Sequence, residues 1–391
     1  MFRKINDDIY SVGVIDWHRK LFDELIPLPD GTSYNSYFIR GEEKNAIIDT
    51  VEPDFVEDFL DNLDDLGVEK IDYIISNHAE QDHSGSIPHL LKKFPEAEIL
   101  SSQKAKPMLL DLLKLESDQI RAVEDGETLD LGGKTLEFIE TPWVHWPETM
   151  STYLQEENKL FSCDFFGSHL ATSDLFVEDE HEVYMAAKRY YAEIMMPFRM
   201  IIKKNLAKLE DYEIDMIAPS HGPVYDNPEM ILNAYKDWVS DEVKPEVVVP
   251  YVSMHGSTKD LIKYFISSLI DEGIKVKPFD LTDVDIGDLA ISLVDASTVV
   301  FGSPTVLTGP HPSAVYAAYL ANVLKPKTRY ASIIGSYGWA GRMTDKLLDL
   351  MPNLKVDLYD PVIAKGHGAD EDYQEIDRLV AEIKADLDNL K

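Results

Sequence analysis

Four side chains able to bind a metal, His78, Glu80, Asp82 and His83, fall within six residues of the segment Asn77-His78-Ala79-Glu80-Gln81-Asp82-His83-Ser84-Gly85. Two imidazoles and two carboxylates pressed into one partly buried turn would repel, shift their pKa values or demand partners; a divalent cation balances them. The apolar run at 71–76 just before the cluster reads as a strand that aims it at one point. Three further segments set a ligand-type side chain beside a strand-to-loop transition: His145 in Pro142-Trp143-Val144-His145-Trp146-Pro147, Asp164 in Phe161-Ser162-Cys163-Asp164-Phe165, and His221 in Ala218-Pro219-Ser220-His221-Gly222-Pro223. Pro, Gly and aromatic flanks hold such side chains still. Any one of the three alone reads as a satisfied core histidine or a turn-capping aspartate, and their order after the first cluster makes them a set.

A second kind of chemistry is written further along. Tyr251-Val252-Ser253-Met254-His255-Gly256-Ser257-Thr258-Lys259 ends an apolar strand and opens a helix. Backbone N–H groups there, with the hydroxyls of Ser253, Ser257 and Thr258, would cradle a phosphate, although a simple capped turn reads the same way from this loop alone. Two more loops follow later strands on the same side: Ser303-Pro304-Thr305-Val306-Leu307-Thr308-Gly309 and Ser336-Tyr337-Gly338-Trp339-Ala340-Gly341. All three would converge at the carboxyl edge of a parallel sheet, where doubly wound folds bind ligands.

The elements that must position these residues change in rhythm part-way along the chain. With 391 residues, two domains are expected, and the boundary is placed at 240–245, giving domains 1–245 and 246–391. Before it, strand-like pieces at 46–49, 73–75, 98–100, 135–139, 152–154, 160–162 and 216–218 alternate with turns and helices, as in two sheets covered by helices. After it, strand and helix alternate through 247–252, 259–270, 275–279, 298–302, 313–323, 329–335, 342–350 and 370–388, a parallel doubly wound α/β sheet.

Composition narrows the chemistry. The single cysteine, Cys163, excludes an internal disulfide, a cysteine-ligated iron–sulfur cluster and a Cys-x-x-Cys metal site within one chain, so nitrogen and oxygen must hold any metal. A formal charge of −34 argues against a nucleic-acid partner. It is unevenly divided, with 23 basic against 50 acidic residues up to 245 and 14 against 21 beyond. No stretch is apolar for the length of a membrane span, and the start Met-Phe-Arg-Lys-Ile-Asn lacks the apolar region of a signal peptide, so a cytoplasmic, non-membrane protein is expected.

The order His-x-Glu-x-Asp-His, then His, Asp and His, resembles the metallo-β-lactamase superfamily, whose dinuclear site sits at the loop end of an αβ/βα sandwich. The resemblance covers about the first 245 residues. It assigns His78, Glu80 and His145 to one metal and Asp82, His83 and His221 to the other, with Asp164 bridging. Most of that superfamily has histidine where this chain has Glu80, and an anionic oxygen ligand there favours iron over zinc. The three loops of the second half are similar to those of flavodoxin, in which the first takes the FMN phosphate and the others flank the flavin ring; Tyr337 and Trp339 would then stack on it. Met254 and His255 stand where that family usually carries more threonine.

A lactamase-like domain with the Glu80 exchange, followed by a flavodoxin-like domain, resembles the flavodiiron proteins, also called A-type flavoproteins, over essentially the whole chain. The resemblance implies FMN and two non-haem irons per subunit, and an oxidoreductase that reduces dioxygen to water, nitric oxide to nitrous oxide, or both. It also implies a head-to-tail homodimer, possibly paired again, that brings each FMN beside its neighbour's iron. With no rubredoxin or reductase domain appended before the chain ends at Lys391, the donor is expected to be separate: a rubredoxin first, reduced coenzyme F420 second. Tyr191 falls in an aromatic stretch that resembles the family's surroundings of the iron site and would hydrogen-bond a bound oxygen species. Phe22 could line the pocket, while His89 and His169 have no place in the motif and read as structural. A zinc-type hydrolase is the rival enzyme reading, and an electron carrier with a docking module the rival from another class.

Overall fold

The computed structural model describes residues 2–22, 25–339 and 341–390. It divides into two units, the first running to Tyr190 and including Phe198–Val239, the second comprising Tyr191–Pro197 and everything from Ser240 onward. The break therefore falls at the start of the expected 240–245 stretch, and Lys244 already begins a strand. The short excursion at Tyr191–Pro197 was not expected. It opens with a π-helical turn, Tyr191–Met195, that packs on the second unit's helices Ile286–Leu293 and Pro312–Leu324.

In the first unit, seven strands form one sheet in the order Arg3–Lys4, Ile9–Ser11, Tyr37–Arg40, Asn45–Ile48, Tyr73–Ser76, Glu98–Ser102 and Ile120–Val123. Five form a second: Thr128–Asp130, Thr135–Glu140, Met150–Leu154, Lys159–Cys163 and Met216–Pro219. Strand alternation sends Ile39, Ile48 and Ile75 toward Phe138, Leu154 and Phe161 of the facing sheet. Phe38, Ile47, Ile74 and Ile99 face the other way, under Phe59 and Leu63 of helix Val56–Asp65, Leu90 of Ile87–Lys93 and Leu109 of Ala105–Leu113. Each such fully buried side chain contributes about 1.5–3 kcal/mol of transfer free energy. Helices Glu180–Tyr190, Arg199–Leu209 and Glu229–Val239 complete the αβ/βα sandwich.

The second unit is a parallel sheet in the order Lys275–Asp280, Lys244–Tyr251, Ala296–Val306 and Tyr330–Tyr337, the last pairing with both Asp357–Leu358 and Val362–Lys365. This is the 2-1-3-4-5 order of flavodoxin-like folds. Helices Ser257–Asp271 and Asp370–Asp388 bury Leu261, Phe265, Leu269, Ile376, Leu379 and Ile383 on one face. Helix Ile286–Leu293 and strand Val362–Lys365 are additions to the pattern read from the sequence.

Candidate metal and cofactor sites

The parallel strand Tyr73–Ser76 lies inside its sheet, and the cluster begins two residues past its end. Asp164 follows Lys159–Cys163 and His221 follows Met216–Pro219, two parallel neighbours in the other sheet, while His145 lies between Thr135–Glu140 and Met150–Leu154. Asn77 ties the two sheets together: its side-chain oxygen accepts from Thr152 Oγ1 at 2.8 Å, its carbonyl accepts from the Met150 N–H at 3.0 Å, and its own N–H donates to Asp49 Oδ1 at 2.8 Å. After His221 the chain needs the left-handed region, which Gly222 takes at φ +81°; a Cβ there would lie 2.1 Å from Ser168 Oγ.

All seven side chains meet in one place. Nε2 of His78 and of His145 each lie 3.0 Å from Glu80 Oε2, and 3.5 and 3.6 Å from Asp164 Oδ2. On the other side, Nε2 of His83 and of His221 lie 3.2 and 3.4 Å from Asp164 Oδ1. The same two nitrogens approach Asp82, His83 to Oδ1 at 3.2 Å and His221 to Oδ2 at 3.4 Å. The atoms thus form two groups, His78–Glu80–His145–Asp164 and Asp82–His83–His221, and Asp164 turns one oxygen toward each.

The electrostatics favour positive charge at both centres. Burial opposes a charged ring at His78, yet Glu148, Glu80 and Asp164 hold its pKa well above the usual histidine range. Burial likewise opposes a charge on His221, but Asp164 and Asp82 raise it to about 10. Glu80 and Asp164 are held well below ordinary carboxylates by the histidines around them, against the penalty of burial. Ionised carboxylates at such depth call for cations, and a divalent ion is a stronger claimant than protons.

In the second unit the three loops also meet. Thr258 Oγ1 lies 2.9 Å from Ser336 Oγ, joining the first to the third. Arg342 N–H donates to the Thr308 carbonyl at 3.2 Å, and a Cβ on Gly341 would lie 2.5 Å from Thr305 Cγ2, joining the third to the second. Gly256, at φ +95°, turns the chain into helix Ser257–Asp271, and Ser253 Oγ accepts from the Lys259 N–H at 3.2 Å. Met254, Leu307 and Trp339 stand out from the loops, while Tyr337 is half-buried. Ala340 lies outside the described residues.

Several known proteins resemble this chain. A family model described as "ODP family beta lactamase" matches residues 32–222. The coenzyme F420H2 oxidase of Methanothermobacter marburgensis is 34% identical over 370 residues, 91% of each chain. The nitric oxide reductase of Moorella thermoacetica is 35% identical over 367 residues, 90% of each. Among solved structures, the rubredoxin oxygen:oxidoreductase of Desulfovibrio gigas superposes with a TM-score of 0.96 at 28% identity, covering 100% of this chain and 99% of that one. The flavodiiron protein of Giardia intestinalis does so at 0.93 and 28%, covering 100% and 97%. The chain belongs to the flavodiiron protein family. It is an oxidoreductase of metallo-β-lactamase-like and flavodoxin-like domains, and the family implies a flavin and iron. None of its described helices is long and apolar enough to cross a membrane.

The residues of this flavodiiron protein fit such a metal load. Both oxygens of Asp82 and both of Asp164 are buried and accept no aligned hydrogen bond, a costly arrangement unless a cation meets them. Four imidazoles and three carboxylates form a nitrogen–oxygen donor set suited to non-haem iron, while Cys163, grouped with His83 and Asp164, is kept a protonated thiol by burial.

The surroundings differ from expectation in three places. Tyr190, next to the expected Tyr191, lies against the cluster: its ring lies 5.9 Å from that of His221, and burial together with the Asp164 charge pushes its phenol well above the usual range. Adjacent helical residues point about 100° apart, and the π-helical turn begins at Tyr191, which packs with the second unit. His169 lines the site, its ring 4.8 Å from His221 and 5.1 Å from Phe22, and its Nδ1 2.9 Å from Thr32 Oγ1. Burial and the neighbouring His221 keep it neutral. Glu148 was not expected, although a lone acid three residues after His145 in a stretch with no other acidic or basic residue from 146 to 155 was a usable signal. His89 lies in helix Ile87–Lys93, its buried Nδ1 without a hydrogen-bond partner among the described residues.

Proposed function

We propose that this protein takes electrons from an external donor into FMN and passes them to a non-haem diiron site that reduces dioxygen to water, nitric oxide to nitrous oxide, or both. The observation that carries the reading is Asp164 turning one buried oxygen toward each of two histidine–carboxylate groups, with Glu80 completing one of them. His78, Glu80 and His145 would hold one iron, Asp82, His83 and His221 the other, and Asp164 both. Ser253, Met254, His255, Gly256, Ser257 and Thr258 would hold the FMN phosphate, with 303–307 and 336–341 around the ring. Two adjacent irons supply electrons and Lewis acidity to a small diatomic molecule, and flavin supplies them one at a time.

The protein's own groups do the rest. Tyr190 stays protonated and can donate its hydrogen at the centre, while His169 stays neutral with its Nε2 unpartnered. A cavity of about 240 Å³ in front of Glu80 and Asp82 is lined by Phe22, Tyr34, Leu112 and Trp146 together with the polar Arg19, Glu52 and Gln81. That is below the usual 300–1,000 Å³ of organic-ligand pockets and suits a small gas. A thioester or lactone hydrolase would leave both Glu80 and the flavodoxin-like unit without a task.

A rubredoxin or reduced F420 would be the donor, and a head-to-tail homodimer would bring flavin beside iron. Purified protein should carry yellow flavin and about two irons per chain with little zinc. Anaerobic reduction by a rubredoxin and, separately, by reduced F420 identifies the donor. Colourless, zinc-loaded protein would overturn the reading.

A further inference from the structure

We propose that Glu148 is a positioning residue that makes the two metal positions unequal, by fixing His78 and with it the position shared by His78, Glu80 and His145. The proposal rests on the diiron reading above. Glu148 Oε1 accepts from His78 Nδ1 at 2.7 Å and from the Ala79 N–H at 3.1 Å, so one carboxylate oxygen fixes both the ring and the backbone next to it. The carboxylate is itself held: its residue is 1% exposed, and its carbonyl accepts from Ser102 Oγ at 2.6 Å. The Trp146 ring packs edge-on to His78 at 5.1 Å.

With its hydrogen on Nδ1, the His78 ring has one lone pair left, on Nε2, aimed at Glu80 and Asp164. A carboxylate behind the ring also makes that nitrogen a stronger donor than a neutral acceptor does. The other position has only neutral support of this kind. His221 Nδ1 meets the Ser33 carbonyl at 2.6 Å, and His83 Nδ1 faces Cys163 Sγ at 3.9 Å.

Burial makes the choice of a carboxylate informative. Glu148 Oε2 is buried with no hydrogen-bond partner, so the charge is held at a cost that an amide of the same shape would avoid. Its benefit must lie on the His78 side.

The test uses the full-length protein loaded with 57Fe, as wild type, Glu148→Gln, His145→Ala and His221→Ala. Glutamine keeps the shape and the acceptor but not the charge. Iron release to a chelator and the Mössbauer doublets are followed together, with thermal melting as the control for folding. Wild type should release two irons in two phases. In E148Q one phase should accelerate about 10–100-fold, the usual effect of losing such a partner, while the other changes less than twofold. The doublet that disappears first should be the one missing in H145A and retained in H221A. Should E148Q fail to fold, Glu148→Asp, with the charge on a shorter arm, should show the same selective phase at smaller size. Equal acceleration of both phases, or of neither in a folded variant, overturns the proposal. Wild type holding fewer than two irons would sink the diiron reading, and this inference with it.

Discussion

In the first unit the charged side chains of the site are deeply buried: His78, His83, Asp164 and His221 are at most 2% exposed. In the second, the loops expected to hold flavin leave Met254 49%, Trp339 78% and Leu307 90% exposed, and their polar contacts are hydroxyl and backbone groups that satisfy one another. The difference follows from the ligands. Iron needs a fixed cage of ionised groups whose desolvation is offset by the metal, whereas a phosphate and a flat ring can be met by backbone N–H groups and apolar tips. Damage to the first site should therefore be all-or-none, and damage to the second graded.

The largest expected effect is at the shared ligand. Asp164→Asn should remove both irons and lower gas reduction at least about a thousandfold, with flavin content unchanged; metal analysis beside the flavin spectrum checks it. An iron-replete D164N would break the comparison. Next, Gly256→Val forces a β-branched residue into positive φ, at about 1–2 kcal/mol, and should weaken FMN binding roughly tenfold by titration of the flavin-free protein while iron stays at two per chain. A full loss of flavin would show that the second site is as brittle as the first.

A third variant separates stability from either site. Burial opposes the charge of Glu246, but Lys275 and Lys277, with Nζ atoms 2.6 and 2.8 Å away, hold its carboxyl below the usual range. A depressed folded-state pKa stabilises above the ordinary carboxylate pKa and is lost as pH falls through the folded value. Glu246→Gln should therefore lower Tm at pH 7 by roughly 2–4 °C, since the lysines are partly exposed, and the gap from wild type should close toward pH 3. The smallest effect concerns docking. Reversing Lys259 or Arg342 beside the flavin loops, or Lys325 in the same unit, should slow reduction by an acidic protein donor about two- to threefold and flatten its salt dependence. An unchanged salt dependence would move the donor's dock elsewhere.

The gathering of the seven ligand-type side chains was legible because their types are improbable together without a metal, and because all but His145 follow closely on a strand that the apolar runs reveal. The parallel sheet was legible for the same reason. Helix Ile286–Leu293 was not, since its mostly apolar residues, Ile286, Leu289, Ala290, Ile291 and Leu293, show no clear polar face from which to read a helical period. Strand Val362–Lys365 is too short to stand out. Tyr190 and Glu148 were missed because their partners are distant in sequence: Glu148 meets His78, 70 positions away, and only the folded sheets bring them together.

The central claim is that electrons leave reduced flavin through the iron cage. Anaerobically reduced protein, iron-loaded and iron-free, mixed with dioxygen and separately with nitric oxide in a stopped-flow instrument, tests it directly. The account expects flavin reoxidation by at least one gas to be at least about a hundredfold faster with iron present. Equal rates with and without iron, for both gases, would contradict it.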